Sequence, residues 1–243
     1  MNSITLFAAG SLRLAFTPLL AEFEQQTGQR VEATFGPAGL LRQRIEQGER
    51  PQIFASANLE HPQRLVACGI AQAVQPFTRN RLCATVRNIP ALTQPDLLTL
   101  LCDPQWQVGT STPLADPSGD YAQQLFDRLD QLLPGQGDAL RSRAVALVGG
   151  ADSAPIPAGR LAAEYLIATR QADIFLGYAS YAEALATCPE VKVRSLPAAL
   201  DFKVIYGLCL LEEGCVAAQE LVAFILSAQG QQILQRMGML PLN

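Results

Sequence analysis

The sequence predicts an α/β protein of two lobes, each a mostly parallel sheet flanked by helices, with the chain crossing twice between them. Three observations carry this. Short apolar strand-like runs alternate with segments of helical periodicity from the first residues onward. The 243 residues exceed what one compact core ordinarily needs, and a hydrophobic content of 49% is enough for two. No single linker divides the chain, so the lobes are not simply consecutive.

Ile4–Ala8 is a short apolar strand, and Leu12, Phe16, Leu19, Leu20 and Phe23 then recur at helical spacing until Gly28. Val31–Phe35 reads as a strand, Leu40–Gln47 as a helix stopped by Gly48, Gln52–Ser56 as a strand, and Arg64–Ala67 as a helix ended by Gly69. Arg81–Arg87 (RLCATVR) is strand-like, and a helical piece follows near Asp96–Leu101. Trp106–Thr110 is a strand and Tyr121–Leu132 a strong helix, broken by Pro134-Gly135-Gln136-Gly137. Ala144–Val148 is a strand, Arg160–Thr169 a helix, Ile174–Tyr178 a strand and Val191–Leu196 an extended segment. Phe202–Leu211 is a long apolar strand, and Val216–Ser227 and Gln229–Met237 are the last helices. The strands at Arg81–Arg87 and Phe202–Leu211 are the candidate crossings. One lobe is then 1–82 with 204–243, and the other 83–203.

Composition removes several function classes. A net charge of -4 argues against a nucleic-acid binder, which needs a basic face to displace counterions. The six cysteines form no CxxC pair and His61 is the only histidine, so no zinc site and no other resident metal or cofactor is expected. Buried thiols are the expected state, with a Cys209–Cys215 or Cys83–Cys209 disulfide as the alternative. There is no GxSxG elbow, Walker loop or dinucleotide fingerprint, which argues against an enzyme. No apolar run approaches the length of a membrane span. The first residues carry no basic and apolar leader pattern, so the chain reads as a mature extracytoplasmic form or as an intracellular protein.

Four segments of small residues follow strands and open helices: Ala8-Ala9-Gly10-Ser11, Gly36-Pro37-Ala38-Gly39, Asp116-Pro117-Ser118-Gly119 and Pro157-Ala158-Gly159-Arg160. Helix N-termini expose unpaired N–H groups at the positive end of the dipole, and small residues let a ligand approach that backbone. A tetrahedral oxyanion offers acceptors to match. Ser, Gly and Pro also mark ordinary helix starts, so a single such segment carries little weight. Two of the four fall in each expected lobe. Asn58 reads as a helix cap or a cleft-edge residue, and His61 as an exposed residue before Pro62. Asp116 is expected to turn away from an anion or to pair with an arginine.

Ile4–Leu12 (ITLFAAGSL), Phe35–Ile45 (FGPAGLLRQRI), Gln52–Asn58 (QIFASAN), Phe175–Ser180 (FLGYAS) and Phe224–Gly238 (FILSAQGQQILQRMG) resemble, in order and spacing, the periplasmic molybdate-binding proteins of ABC transporters. The resemblance covers nearly the whole chain. It implies the two-lobed type II periplasmic-binding fold and capture of molybdate or tungstate by hinge closure. A monomer that docks on a membrane permease and its ATPase is also implied. Ser11 matches a serine donating through hydroxyl and backbone. Ala38, beside Gly39, stands where the family commonly has a second serine, so only its backbone N–H remains. Ser118 matches a backbone donor and Tyr178 a hydroxyl donor from the second lobe. Arg160 lies near a neutral backbone contact and introduces a forked cation suited to sulfate, phosphate or a small carboxylate. An intracellular anion-sensing module is the alternative of a different class.

Overall fold

The computed structural model describes residues 3–211 and 215–242. In chain order, β1 (Ile4–Ala9) passes through a 3-10 turn into α1 (Arg13–Thr27), followed by β2 (Val31–Gly36), α2 (Ala38–Glu46), β3 (Ile53–Ser56), α3 (Glu60–Ala67) and β4 (Gln75–Asn80). Next come β5 (Leu82–Arg87), α4 (Pro90–Thr93), α5 (Leu97–Cys102), β6 (Val108–Ser111), α6 (Pro117–Leu132), α7 (Gln136–Arg143) and β7 (Val145–Val148). The chain continues through α8 (Ala162–Ala168), β8 (Ile174–Tyr178), α9 (Ala182–Ala186), β9 (Val191–Ser195), β10 (Val204–Leu210), α10 (Val216–Leu226) and α11 (Ala228–Arg236). It forms two compact units, Met1–Asn80 with Val204–Asn243, and Arg81–Lys203.

The first unit holds a five-stranded sheet ordered β2-β1-β3-β10-β4. β1 is parallel to β2 and β3, whereas β10 is antiparallel to β3 and β4. Only β10 is therefore reversed. β3 is buried along its length, as a central parallel strand requires, while the edge strand β2 is half-buried. Phe16, Leu19 and Phe23 of α1 recur on one face and are at most 1% exposed, and the Phe16 ring meets Phe77 of β4 at 5.9 Å.

The second unit repeats the plan in the order β7-β6-β8-β5-β9. β6 is parallel to β7 and β8, and β5 is antiparallel to β8 and β9. Again one strand is reversed, so each sheet is mostly parallel. The reversed strand in each unit is the one by which the chain enters it. Ala163, Leu166, Ile167, Phe175, Leu185 and Val191 cluster beneath α8.

Several helices begin earlier than periodicity placed them: α2 at Ala38, α3 at Glu60 and α6 at Pro117. Asp116 caps α6, accepting from Ser118 N–H, and Pro117 fills the first helical position, where its missing N–H costs nothing. α8 begins at Ala162, so Arg160 lies in the preceding loop, outside the helix expected there.

Candidate functional site

In the first unit, strand register brings two helix starts together. Ala9 pairs with Gly36 at the carboxyl ends of the parallel strands β1 and β2, so the turns after them leave the same edge side by side. A Cβ on Gly10 would meet Gly36 O at 3.8 Å. Ser11 follows one strand and Ala38-Gly39 the other. α2 has no side-chain cap, and its first internal bond is Leu41 N–H to Pro37 O at 3.0 Å. The N–H groups of Ala38, Gly39 and Leu40 thus precede the helical ladder, the arrangement that suits an anion. Ala38 is fully buried and brings no hydroxyl to this start.

The Ser11 hydroxyl is held from behind. Tyr206 Oη donates to Ser11 Oγ at 2.9 Å, and Asn80 Nδ2 donates to Tyr206 Oη at 3.2 Å. Tyr206 is completely buried and meets Phe77 edge-on at 6.3 Å. The ladder between β10 and β4 shifts register at Tyr206/Gly207. Such a bulge re-aims a side chain. Neither residue emerged from the motifs. The available signal was a single hydroxyl-bearing aromatic inside the apolar run VIYGLCL.

Four further side chains lie on the elements next to this half-site. Ser56 and Asn58 are buried, and Ser56 Oγ donates to Asn58 Oδ1 at 2.9 Å. Asn58 Oδ1 also accepts from His61 N–H at 3.2 Å, so Asn58 caps the entry to α3. His61 is 8% exposed, which corrects the expectation of a surface histidine: its ring packs beneath α3 beside the buried Arg42. Burial, then the Arg42 charge, lowers its pKa to about 4, so it is neutral at pH 7. The Arg13 guanidinium lies 4.7 Å from the centre of the Phe35 ring, beside both helix starts.

In the second unit, Ser111 pairs with Val148 at the carboxyl ends of β6 and β7, and Gly109 pairs with Phe175 of β8. The start of α6, the Gly149-Gly150 turn and Tyr178 therefore share one edge. Ser118 and Tyr178 are buried at 4% and 6% exposure. The backbone donors at this start are engaged. Ser118 N–H bonds Asp116 Oδ1 at 3.1 Å and Gly119 N–H bonds Asp116 O at 2.8 Å. Among the described residues Asp116 pairs with no arginine, contrary to one of the two expectations for it. Burial pushes its pKa up to about 6, against the opposing pull of Ser118 N–H and the Ser111 hydroxyl.

Arg160 is not a free cation. Its guanidinium forks onto the two Glu164 oxygens, with Nε–Oε2 at 2.7 Å, and lies over the Tyr165 ring. The Glu164 hydrogen bonds hold its pKa above the ordinary guanidinium value, supported by the Glu164 and Glu190 charges. The side chain is 44% exposed. The structure thus gathers Ser11, Ala38 and Gly39 at one edge, and Ser118 and Tyr178 at another, while Arg160, in the loop before α8, is engaged with Glu164 of that helix.

All six cysteines are free thiols. Cys83 and Cys209 are buried and pushed up to about 12, so they behave as small hydrophobes. Among the described residues no cluster of His, Cys, Asp or Glu is placed to hold a metal, and no helix is long and apolar enough to cross a membrane.

Comparison with known proteins accounts for this architecture. An uncharacterized protein of Pasteurella multocida is 41% identical over 240 residues, covering 98% of both chains. The periplasmic molybdate-binding protein of Azotobacter vinelandii superposes with a TM-score of 0.77 at 20% identity, covering 99% of this chain and 100% of that one. The sulfate-binding protein SubI of Mycobacterium tuberculosis superposes at 0.80 with 17% identity, covering 100% of this chain and 88% of that one. The model of the bacterial extracellular solute-binding proteins matches residues 4–240. With that match running through both sheets and both sets of helix starts, the chain belongs to the bacterial extracellular solute-binding protein family, a family of binders and not of enzymes.

Proposed function

We propose that this protein captures a small tetrahedral oxyanion, molybdate or tungstate first, outside the cytoplasm and delivers it to an ABC-type permease and its ATPase. The observation that carries the reading is the pair of helix starts at Ser11 and Ala38-Gly39, set side by side by the Ala9–Gly36 register. The likeness to the molybdate-binding protein of Azotobacter vinelandii supports it. Ser118 and Tyr178 are the proposed contacts from the second unit. Binding then shifts the population toward a closed form about the crossings near Asn80 and Val204. Ser118 N–H becomes available only when the ligand displaces the Asp116 carboxylate.

Asp116 favours a second reading. A carboxyl that holds its proton up to about pH 6 suits an anion that shares a proton, such as hydrogen phosphate or a small carboxylic acid. A calorimetric panel with molybdate, tungstate, sulfate, phosphate and small carboxylates separates the two. Selective heat with molybdate and tungstate is expected, and selective binding of phosphate or a carboxylate moves the reading to the second. Ser11→Ala is expected to weaken binding at least about tenfold, because a hydrogen bond to a charged group is lost. Arg160→Gln is expected to stay within about threefold of wild type, because its fork already serves Glu164. Absence of heat with every anion, in folded and ligand-free protein, refutes the oxyanion reading.

A further inference from the structure

A tyrosine hydroxyl has one proton. Tyr206 uses it on Ser11 Oγ at 2.9 Å while accepting from Asn80 Nδ2 at 3.2 Å. The same Asn80 nitrogen faces Met239 Sδ at 3.8 Å, and a thioether only accepts, which agrees with that direction. The relay therefore runs one way, from Asn80 through Tyr206 to Ser11. With a lone pair of Ser11 Oγ already occupied, its own O–H is left to donate toward the half-exposed side, where the helix starts meet.

We infer that Tyr206 and Asn80 are positioning residues that commit the Ser11 hydroxyl to donating, so that the half-site prefers an anion whose oxygens only accept over one that carries a proton. The inference rests on the oxyanion reading and deepens it. Both residues are buried behind Ser11. Their placement adds a second consequence. Asn80 is the last residue of the first unit before the chain leaves it, and Tyr206 lies two residues after its return at Val204. A bond formed by Ser11 is thus transmitted to the two strands, β4 and β10, that carry the chain between units.

The test is titration calorimetry of the whole protein at pH 8 with molybdate and, separately, inorganic phosphate, in wild type, Tyr206→Phe and Asn80→Asp. Phenylalanine keeps the packing on Phe77 but removes the proton given to Ser11. Aspartate turns the relay round, since it accepts from Tyr206. Both variants are expected to weaken molybdate about tenfold and to narrow the molybdate-to-phosphate preference several-fold. Unchanged affinity in folded Tyr206→Phe overturns the inference, as does equal weakening toward both anions, which is what a merely structural role produces. Should the variants fail to fold, the wild-type Tyr206 hydroxyl proton decides by NMR. A slowly exchanging resonance close to the Ser11 β-protons that shifts on adding molybdate is expected, and a fast-exchanging one indifferent to molybdate overturns the inference. A wild type that binds no oxyanion removes the functional reading itself, and this inference with it.

Discussion

The Asp116 carboxyl packs directly on the Cα of Gly149: a Cβ added to that glycine would fall 2.8 Å from Asp116 Cβ and 2.9 Å from Oδ2. Gly149 also has φ of +80°. Gly149→Ala therefore meets a steric and a backbone cost together, and is expected to destabilise the second unit by about 1–3 kcal/mol. Urea unfolding of the intact protein measures this, and a variant as stable as wild type contradicts the packing.

The same carboxyl sets a pH dependence. Its pKa rises from 3.8 in the unfolded chain to about 6 in the folded one, so the folded protein holds the extra proton between those values. The stability contributed by this group is fully present below about pH 4 and is lost as pH rises through about 6. Asp116→Asn keeps an oxygen for Ser118 N–H and cannot ionise. It is expected to be more stable than wild type at pH 8, on the order of 1–3 kcal/mol, with the gap closing toward pH 4. A gap that does not vary with pH counts against the assignment.

His61 works in the opposite sense. Its pKa falls from 6.5 to about 4, by burial first and then by Arg42 and Arg64, with Glu46 pulling the other way. The stability it contributes is present above about pH 6.5 and is lost as pH falls through about 4. Its Nε2 is buried without a partner among the described residues, so protonation finds no acceptor there. Hydrogen exchange, corrected for intrinsic rates, is expected to show the first unit loosening between pH 6.5 and 4. His61→Phe is expected to abolish that trend, and a first unit equally protected at both pH values speaks against it.

Arg13 makes no ion pair with an acid among the described residues and rests on Phe35 beside the two helix starts. A π-face leaves its charge unneutralised. Arg13→Gln is expected to lower oxyanion affinity a few-fold at low salt and to flatten the salt dependence. Calorimetry at two ionic strengths reads both, and identical salt slopes in the two proteins exclude a role for this charge.

The alternation of strands and helices was legible because most strands carry an apolar run, such as ITLFAA in β1 and VIYGLCL in β10, and the long helix α6 repeats its apolar face. Four elements were not: the short helices α4 and α9, the strand β4 and the helix α7. β4 reads QPFTRN, polar and interrupted by Pro76, because it is the edge strand of its sheet, paired on one side with β10 and on the other only through a single bridge from Arg79 to Leu240. α7 was masked by Pro134-Gly135-Gln136-Gly137, which looks like a breaker. Gly137 lies against the Phe126 and Asp130 backbone of α6, where any side chain would collide, so there the glycine serves close packing. The helix starts at Ser11 and Ala38 were readable as local motifs. The partners that decide their chemistry were not, since Tyr206 lies 195 residues from Ser11 and Glu164 closes on Arg160 through a choice of rotamer. His61 read as an exposed residue before Pro62, yet it shares the buried face of α3 with Pro62 and Leu65.

The position of β10 between β3 and β4 dictates an order of assembly during synthesis. A ribosome delivers residues 1–80 first, but β4 bonds to its sheet only through β10, which starts at Val204. The second unit, Arg81–Lys203, is continuous and emerges with all five of its strands before β10 exists. The inserted unit can therefore finish while the flanking one waits, with β3 and β4 offering open edges to any neighbouring strand. Arrival of the last forty residues closes that window, so a nascent chain stalled before Val204 is a species for chaperones to hold.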